Sequence, residues 1–314
     1  MCARAPTRAG QLRRLNGFAV AIALTTFANG LSAETANAAG AQSSKPTARE
    51  VIAAIQHEIP GNWDTPTVDT FKAGNPDTVV TGIAVTMMAT MDVLQRAAAQ
   101  GDNLIITHEP VFFDHMDTPQ GIDESDAVWR EKREFIARHE LVIWRFHDHW
   151  HQRKPDGIQS GMTRVLGWAK YQDPQNPHLF KLPPTTLREL AEEVSRKLQR
   201  PILRIVGDPG MPVSVVVMSP GAAGFARHAA ALEAKEVDVL LAGEAHEWET
   251  VEYAADAVSQ GRKKALILIG HVPSEQAGME DCAQWLKTFI KGVPVEFVAT
   301  LQPFWTTTDY SPPH

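Results

Sequence analysis

Histidines and carboxylates recur in this sequence directly after short apolar runs, at positions where buried strands would end. Imidazole and carboxylate groups are the ligands that zinc, iron, manganese and nickel accept in proteins. In open α/β sheets, the carboxyl ends of the strands are also where chemistry is placed. The pattern therefore predicts a metal site, with candidates His108, Glu109, His147, Asp148, His149, His151, Glu244, His246, His271 and Glu275. Each histidine alone could be structural, but three strand ends of one kind favour the metal site.

The spacing within this set predicts how the side chains would converge. His271 and Glu275 are four residues apart, so at the start of a helix they share one face. A carboxylate in that position can bridge two cations about 3.5–4 Å apart. His147, His149 and His151 share a face if their segment is extended, whereas only the first and last do so if it is helical. Whether His147 or His149 ligates is therefore left open.

Alternating apolar strands and amphipathic helices supply the elements that must position these residues. Two runs, 79–88 and 103–107, flank a helical pattern at 91–100 that Gly101 closes, which predicts a parallel β-α-β unit. Capping boxes predict that helices begin after Thr47 and Thr186. Further strands are predicted at 141–146, 202–206, 213–218, 237–241, 265–269 and 294–298, and further helices at 127–139 and 158–166, from 243, and after 270 as far as 290. The fold class is therefore α/β.

Two halves are predicted, because one short pattern occurs twice. An apolar strand, a histidine and then a proline two residues later are found at 104–110 and again at 268–273. We expect two α/β halves that face each other across one site. The predicted ranges are a first half at 47–170, a proline-rich connection at 171–185, a second half at 186–300 and a C-terminal tail at 301–314.

The first residues have the organisation of a secretory signal. Four arginines precede an apolar run at 17–27, and Ala36-Asn37-Ala38 fits a cleavage site, with 31–33 as a second choice. We predict a signal peptide at 1–38, a linker at 39–46 and an exported, periplasmic protein. An uncleaved anchor is the alternative, although the apolar run is short for a bilayer span. Arg13-Arg14 leaves the twin-arginine route possible.

Composition excludes several function classes. The formal net charge is −7, and loss of the arginine-rich leader makes the mature chain more acidic, which argues against a nucleic-acid partner. No membrane association is expected after cleavage. The nucleophile motif Gly-x-Ser-x-Gly, the C-x-x-C pair and the H-E-x-x-H helix are all absent from the sequence. Cys282, which the mature chain keeps as its single cysteine, lies in an apolar helical stripe and is predicted to belong to the core.

Four blocks of this sequence resemble the signature blocks of the NIF three-like family, also called the GTP cyclohydrolase I type 2 family. The blocks lie at 104–110, 147–157, 243–246 and 270–275, and the resemblance spans about 48–300. It implies the family's fold, a dinuclear centre of two divalent cations and a homo-oligomer, namely a ring of six. The family lacks a settled activity, so the resemblance does not name a substrate.

The resemblance also implies a set of metal ligands. The family's T-H-H-P block places ligands at His108 and Glu109, where glutamate stands in place of the second histidine. The family's ligating aspartate falls on His151, and its C-terminal ligands match His271 and Glu275, the expected bridge. Exchange of one histidine and one carboxylate conserves the ligand count, which favours an intact two-metal site. A changed metal preference or the loss of one metal is the alternative.

The function expected from these observations is metal-dependent hydrolysis of a small molecule at an electrophilic carbon or phosphorus. GTP is one possible substrate, although an exported protein would meet little of it. Glu244 and His246 are candidates for an acid/base pair or for groups that support the ligands, and an ordinary helix N-terminus is the alternative. A non-catalytic metal-binding oligomer is the competing class, and a pure scaffold would leave the histidine clusters unexplained.

Overall fold

The computed structural model describes residues 45–63, 66–118, 122–123, 125–200 and 202–305. The predicted signal peptide, most of the predicted linker and the last nine residues of the predicted tail lie outside this part of the chain. Within it, no helix combines the length and the apolar composition that a bilayer crossing requires.

Strands and helices alternate along most of the chain, as the sequence predicts. The strands are β1 (Phe71–Ala73), β2 (Ile83–Thr86), β3 (Leu104–Thr107), β4 (Val142–Arg145), β5 (Leu179–Thr186), β6 (Arg204–Val206), β7 (Pro212–Ser219), β8 (Val239–Ala242), β9 (Ala265–Leu268) and β10 (Val295–Phe297). The α-helices are α1 (Ala48–Glu58), α2 (Met91–Gln100), α3 (Ala127–Arg138), α4 (Asp148–Gln152), α5 (Gly157–Leu166), α6 (Leu187–Lys197), α7 (Phe225–Glu233), α8 (Glu252–Ser259) and α9 (His271–Phe289).

Among the described residues, these strands form two sheets of five strands each. The first has the order β1-β4-β3-β2-β10, and only its edge strand β1 is antiparallel to its neighbour. The second has the order β5-β7-β8-β9-β6, in which the two outer strands are antiparallel to the three central ones. Strands β2, β3, β4, β8 and β9 are buried along their whole length, because helices cover parallel sheets on both faces, whereas β7 is only partly buried. The predicted α/β class and the β-α-β unit are confirmed.

Local signals set several helix ends. Thr47 and Glu50 form the predicted capping box of α1, and Thr186 and Glu189 form that of α6. Gly101 ends α2 at a φ of 84°, a conformation that favours glycine. The segment after Gly243 differs from the prediction, since it is a loop as far as a π-helical turn at Glu247–Val251 that leads into α8.

The predicted residue ranges of the two halves do not coincide with the two sheets. Strand β5 occupies much of the stretch predicted as a proline-rich connection, because an edge strand tolerates the missing N–H groups of Pro183 and Pro184. Strand β10 lies beside β2 in the first sheet, although the sequence assigns 294–298 to the second half.

Helix α9 links the two sheets. It begins directly after β9 of the second sheet, yet its buried side chains Met279, Cys282 and Leu286 pack in one cluster with Ile106 and Trp144 of the first sheet. Full burial of one such side chain contributes about 1.5–3 kcal/mol. The burial of Cys282 in the core is therefore confirmed, and α9 packs on the first sheet although it begins at the second.

Candidate metal centre

The carboxyl end of β3 delivers the most deeply buried histidine of the site. His108 is fully buried, and its Nδ1 lies 3.0 Å from the carbonyl oxygen of Phe146, the residue that follows β4. A carbonyl only accepts hydrogen bonds, so Nδ1 of His108 must carry the proton and Nε2 must present its lone pair. That Nε2 is buried without a hydrogen-bond partner among the described residues. A buried lone pair in this state has the chemistry of a metal ligand.

The segment after β4 is helical, which determines which of its histidines share a face. The Asp69 carboxylate accepts hydrogen bonds from the backbone N–H groups of His147 and His149, which fixes the first turn of α4. His147 and His151 consequently lie on one face, with ring centroids 4.9 Å apart. His149 points elsewhere, since its Nδ1 is 2.8 Å from Asp69 and its ring stacks on Trp63 at 3.5 Å. His149 therefore lies outside the cluster: its Nε2 is also buried without a hydrogen-bond partner among the described residues, but it belongs to neither group of potential ligand atoms.

The start of α9 supplies the opposite side of the site. His271 Nε2 lies 3.1 Å from Glu275 Oε2 and 3.3 Å from Glu109 Oε1. Glu275 in turn reaches to 3.6 Å from His108 Nε2, so residues distant in sequence meet in one pocket. Gly221 makes room for Glu275, because a Cβ at that position would lie 2.1 Å from Oε1. This contact gives a physical reason for the small-residue turn that precedes α7.

Carboxylates surround His271 and determine its charge. Burial acts against the imidazolium, but hydrogen bonds with Glu109, Glu244 and Glu275 raise the pKa of His271 to about 12. Burial likewise acts to raise the pKa of Glu109, yet its hydrogen bond with His271 and the nearby imidazoles lower that pKa to about 2. The imidazolium of His271 is thus surrounded by carboxylates. A metal cation can supply the positive charge that these carboxylates require.

The histidines on the other side have a different environment. Burial lowers the pKa of His108 well below 6.5, and the neighbouring His147 and His151 add to this effect. For His151, burial also acts against the charged form, but the hydrogen bond from its Nδ1 to Asp156 Oδ2 raises its pKa. With their Nδ1 atoms held in this way, the Nε2 atoms of His108 and His151 are free to bind a cation.

Two groups of potential ligand atoms overlap at His108. In each, all ligand atoms lie within 4.8 Å of one another, and the groups are His108 with His147 and His151, and His108 with Glu109 and Glu275. Nitrogen and carboxylate donors of this kind suit divalent transition metals. The chain therefore holds a buried His/Glu group that can bind a metal. The predicted ligands His108, Glu109, His151, His271 and Glu275 are brought together, and His147 joins them.

The predicted acid/base candidates separate in the structure. Glu244 Oε1 lies 3.5 Å from His271 Nδ1, and this hydrogen bond lowers the pKa of Glu244. His246 is exposed, its Nδ1 donates to Glu249 Oε2 at 3.0 Å, and its ring stacks on Trp248 at 4.5 Å. Glu244 consequently touches the site, whereas His246 interacts with its own surface loop.

Sequence reasoning missed Arg145, which is fully buried at the end of β4. Its Nε donates to the carbonyl of His108 at 3.0 Å, one terminal nitrogen donates to the carbonyl of His115, and the other lies 3.5 Å from Glu109 Oε2. A buried guanidinium requires such partners. The signal was present in the sequence, because Arg145 is the one charged residue in the apolar run 141–146.

Two open clefts reach the site. The polar cleft has a volume of about 780 Å³ and includes Asp156, Gln159, His178 and Arg227 in its walls. The apolar cleft has a volume of about 690 Å³, and its walls include Met88, Met91, Pro110, Phe113 and Val128. Both volumes fall within the range of small-molecule sites.

Comparisons with known proteins agree with this fold. The family model Duf34/NIF3 (NGG1p interacting factor 3) matches residues 49–303, and the chain belongs to this family. A curated relative, the GTP cyclohydrolase 1 type 2 homolog of Chlamydia pneumoniae, is 21% identical and aligns with 74% of this chain and 89% of its own length.

Solved structures show the same fold at low sequence identity. Protein SA1388 of Staphylococcus aureus is 17% identical, with a TM-score of 0.63 over 83% of this chain and 99% of its own. The Bacillus cereus protein related to NIF3 is 15% identical, with a TM-score of 0.65 over 84% of this chain and 100% of its own. The predicted NIF three-like fold is confirmed.

Proposed function

We propose that this protein is a metal-dependent hydrolase with a dinuclear centre, which acts on a small molecule. The proposed ligands are His108, Glu109, His151, His271 and Glu275, with His147 as an additional ligand. The observation that carries the proposal is the buried, unpartnered Nε2 of His108, around which donors from both sheets converge beside an open cleft. When bound, divalent cations would polarise the substrate and activate water.

The chain's own residues prepare this site before any cation binds. Phe146 O and Asp156 Oδ2 hold the Nδ1 atoms of His108 and His151, so that each ring presents Nε2 to the pocket. Glu275 Oε2 lies 3.6 Å from His108 Nε2 and 3.1 Å from His271 Nε2, so its carboxylate would be the one shared by two bound cations. Glu244 Oε1 can accept a hydrogen bond from Nδ1 of His271. Because Glu244 is partly exposed, its carboxylate can also exchange a proton with substrate or solvent.

Metal content and turnover test this proposal together. The mature chain would be purified, its metals measured by elemental analysis, and its activity assayed on nucleotides, phosphate esters and amides. We expect two metals per chain and turnover that a chelator removes, and we expect His108→Ala to lose both. His57→Ala removes an exposed histidine of α1 that is distant in sequence from the proposed ligands. This control should change neither the metal content nor the turnover. Two metals without turnover on any substrate would favour a non-catalytic metal-binding protein.

Assembly and export also remain proposals for this chain. The homohexamer predicts a mass in solution six times that of the mature chain, which light scattering measures.

Periplasmic export predicts that the recovered protein begins near residue 39, which N-terminal sequencing decides. A monomer, or a chain that retains its leader, would contradict the respective prediction.

A further inference from the structure

The two clefts meet at the candidate metal centre and differ in character. Glu109, His115 and His271 line both clefts, so a ligand held near these residues can extend in two directions. Polar and charged side chains are more numerous in one direction, and the surface in the other direction is mainly apolar although Asp114, Glu131 and Lys132 also lie in its walls. This asymmetry constrains which small molecules the centre would accept.

Arg227 is the feature of the polar cleft that selects for a charge. It lies in the first turn of α7, is exposed, and has no ion-pair or hydrogen-bond partner among the described residues. A guanidinium binds carboxylates and phosphates through two parallel hydrogen bonds. In an acidic protein, a cation without a carboxylate partner at the wall of a cleft is available for an anionic ligand.

Gln159 adds a fixed polar group to the same cleft. It is only 3% exposed, and its Nε2 donates to the carbonyl of Pro177 at 3.0 Å. Because that carbonyl can only accept, the orientation of the amide is settled and Oε1 is the remaining atom. This Oε1 is without a hydrogen-bond partner in the described part of the chain. A buried acceptor in this state indicates that a donor from a ligand or from water completes it.

Two large apolar side chains are exposed at the walls of the apolar cleft. Phe113 is 59% exposed and Val128 is 66% exposed at its walls. Phe113 has a φ of 67°, which is unfavourable for a bulky side chain. Asp117 accepts hydrogen bonds from the backbone of Val111 and Phe112 and so holds the loop in this conformation. The backbone at Phe113 is therefore strained, and in this conformation its aromatic ring lines the apolar cleft.

We infer that the substrate is a small molecule with a carboxylate or phosphate at one end and an apolar group at the other. The anionic end would bind Arg227 in the polar cleft, the apolar end would lie against Phe113, and the reacting bond would fall between them at Glu109 and His271. This inference rests on the proposed function, because it takes the metal centre as the place of reaction.

Binding of matched probes to the metal-loaded mature protein tests the inference. The probes are ω-phenylalkanoates from phenylacetate to phenyloctanoate, the corresponding phenylalkanols without the charge, and alkanoates without the ring, measured by calorimetry. We expect one spacer length to bind at least about tenfold more tightly than both of its halves. A phosphate-ended series then distinguishes the two kinds of anion.

Two variants assign this advantage to the two clefts. Arg227→Gln should remove the advantage over the alcohol, and Phe113→Asn should remove the advantage over the plain alkanoate. Asparagine accepts a positive φ, so the second variant does not endanger folding. Arg138→Gln removes an exposed helical arginine outside both clefts and should change neither.

The outcomes separate this inference from the proposed function. If no spacer length exceeds its halves, or if Arg227→Gln and Arg138→Gln act alike, the inference is wrong. Metal content and turnover are measured on the same preparations. Two metals and turnover without the probe advantage refute the inference alone, whereas the probe advantage without turnover refutes the hydrolase alone.

Discussion

The two histidines that follow the repeated strand motif, His108 and His271, have opposite chemical states. Each comes after an apolar strand and precedes a proline by two residues. The pKa of His108 lies well below 6.5, with burial as the largest cause, whereas carboxylates raise the pKa of His271 to about 12 in spite of burial. The motif therefore places a histidine at a strand end and does not determine its charge.

Their neighbours explain the difference. His108 has a backbone carbonyl at Nδ1 and the rings of His147 and His151 at 4.5 Å and 5.0 Å. His271 has a carboxylate at each ring nitrogen. The candidate site therefore combines a histidine-rich side with a carboxylate-rich side, and the residues that set this contrast come from other segments of the chain.

The largest expected effect concerns the groups that anchor each side. Arg145 binds the carbonyls of His108 and His115, whereas the fully buried hydroxyl of Ser274 accepts from Gly221 N at 2.9 Å and donates to the carbonyl of His271 at 2.6 Å. Arg145→Met removes a buried charge with several partners and should lower the free energy of unfolding by about 3–5 kcal/mol. Ser274→Ala removes a neutral hydroxyl and should cost about 1–3 kcal/mol.

Urea denaturation of the chelator-treated protein measures both values. Arg138→Met, at an exposed helical position, is the matched control and should remain within about 0.5 kcal/mol of the natural protein. Equal costs for Arg145→Met and Ser274→Ala would show that the two sides are anchored with the same strength, against the comparison.

Glu275→Gln should have the next largest effect, because Glu275 contacts the key histidine of each side. Glutamine keeps the shape but loses the charge and one acceptor, so affinity for the metals should fall by about 100-fold. Elemental analysis after dialysis against a weak chelator measures this loss. Glu280→Gln, on an exposed face of the same helix, should retain the metals. Retention of two metals by Glu275→Gln would refute the proposed bridging role of Glu275.

The dependence of stability on pH should have opposite signs on the two sides in the chelator-treated protein. Since the pKa of His271 is raised on folding, the native state binds the extra proton above pH 6.5, and stability is lost as pH rises from there towards 12. Since the pKa of His108 is lowered, the unfolded state binds the extra proton below pH 6.5, and stability is lost as pH falls.

Matched variants isolate these two contributions. His271→Gln should remove a falling slope of up to about 1.4 kcal/mol per pH unit between pH 7 and 8, and His108→Gln should remove a rising slope between pH 5 and 6.5. Denaturant midpoints across the pH range measure the slopes. If both variants changed the slope in one direction, the contrast between the two histidines would not hold.

The sequence predicted the site better than the arrangement of sheets around it. Strand ends could be predicted because apolar runs stop abruptly before His108 and His271. The helical alternative for 147–151 correctly predicted that His147 and His151 share a face. The ligating role of these residues stays a prediction. The return of β10 to the first sheet could not be read, because a short apolar strand carries no signal that selects its neighbour.

Supporting groups were harder to find than ligands. Asp156 reads as an ordinary helix cap, and it does accept from Ile158 N, but its second oxygen also holds His151. Gly221 reads as a turn residue, which agrees with its φ of 66°, but a second requirement comes from Glu275, 54 positions later. In both cases the partner is fixed only by tertiary structure, so no local pattern could reveal it.

The smallest predicted effect compares the carboxylates that hold Nδ1 on each side. Asp156 binds His151 with 26% of its side chain exposed, and Glu244 faces His271 with 54% exposed. Asp156→Asn should weaken metal binding by about tenfold, while asparagine still caps α5. Glu244→Gln should weaken it only about twofold, because water screens the more exposed carboxylate. Competition with a fluorescent chelator measures both, and Asp256→Asn, an exposed carboxylate of α8, is the control. A larger loss in Glu244→Gln than in Asp156→Asn would mean that the anionic side, rather than the histidine-rich side, depends more on its supporting carboxylate.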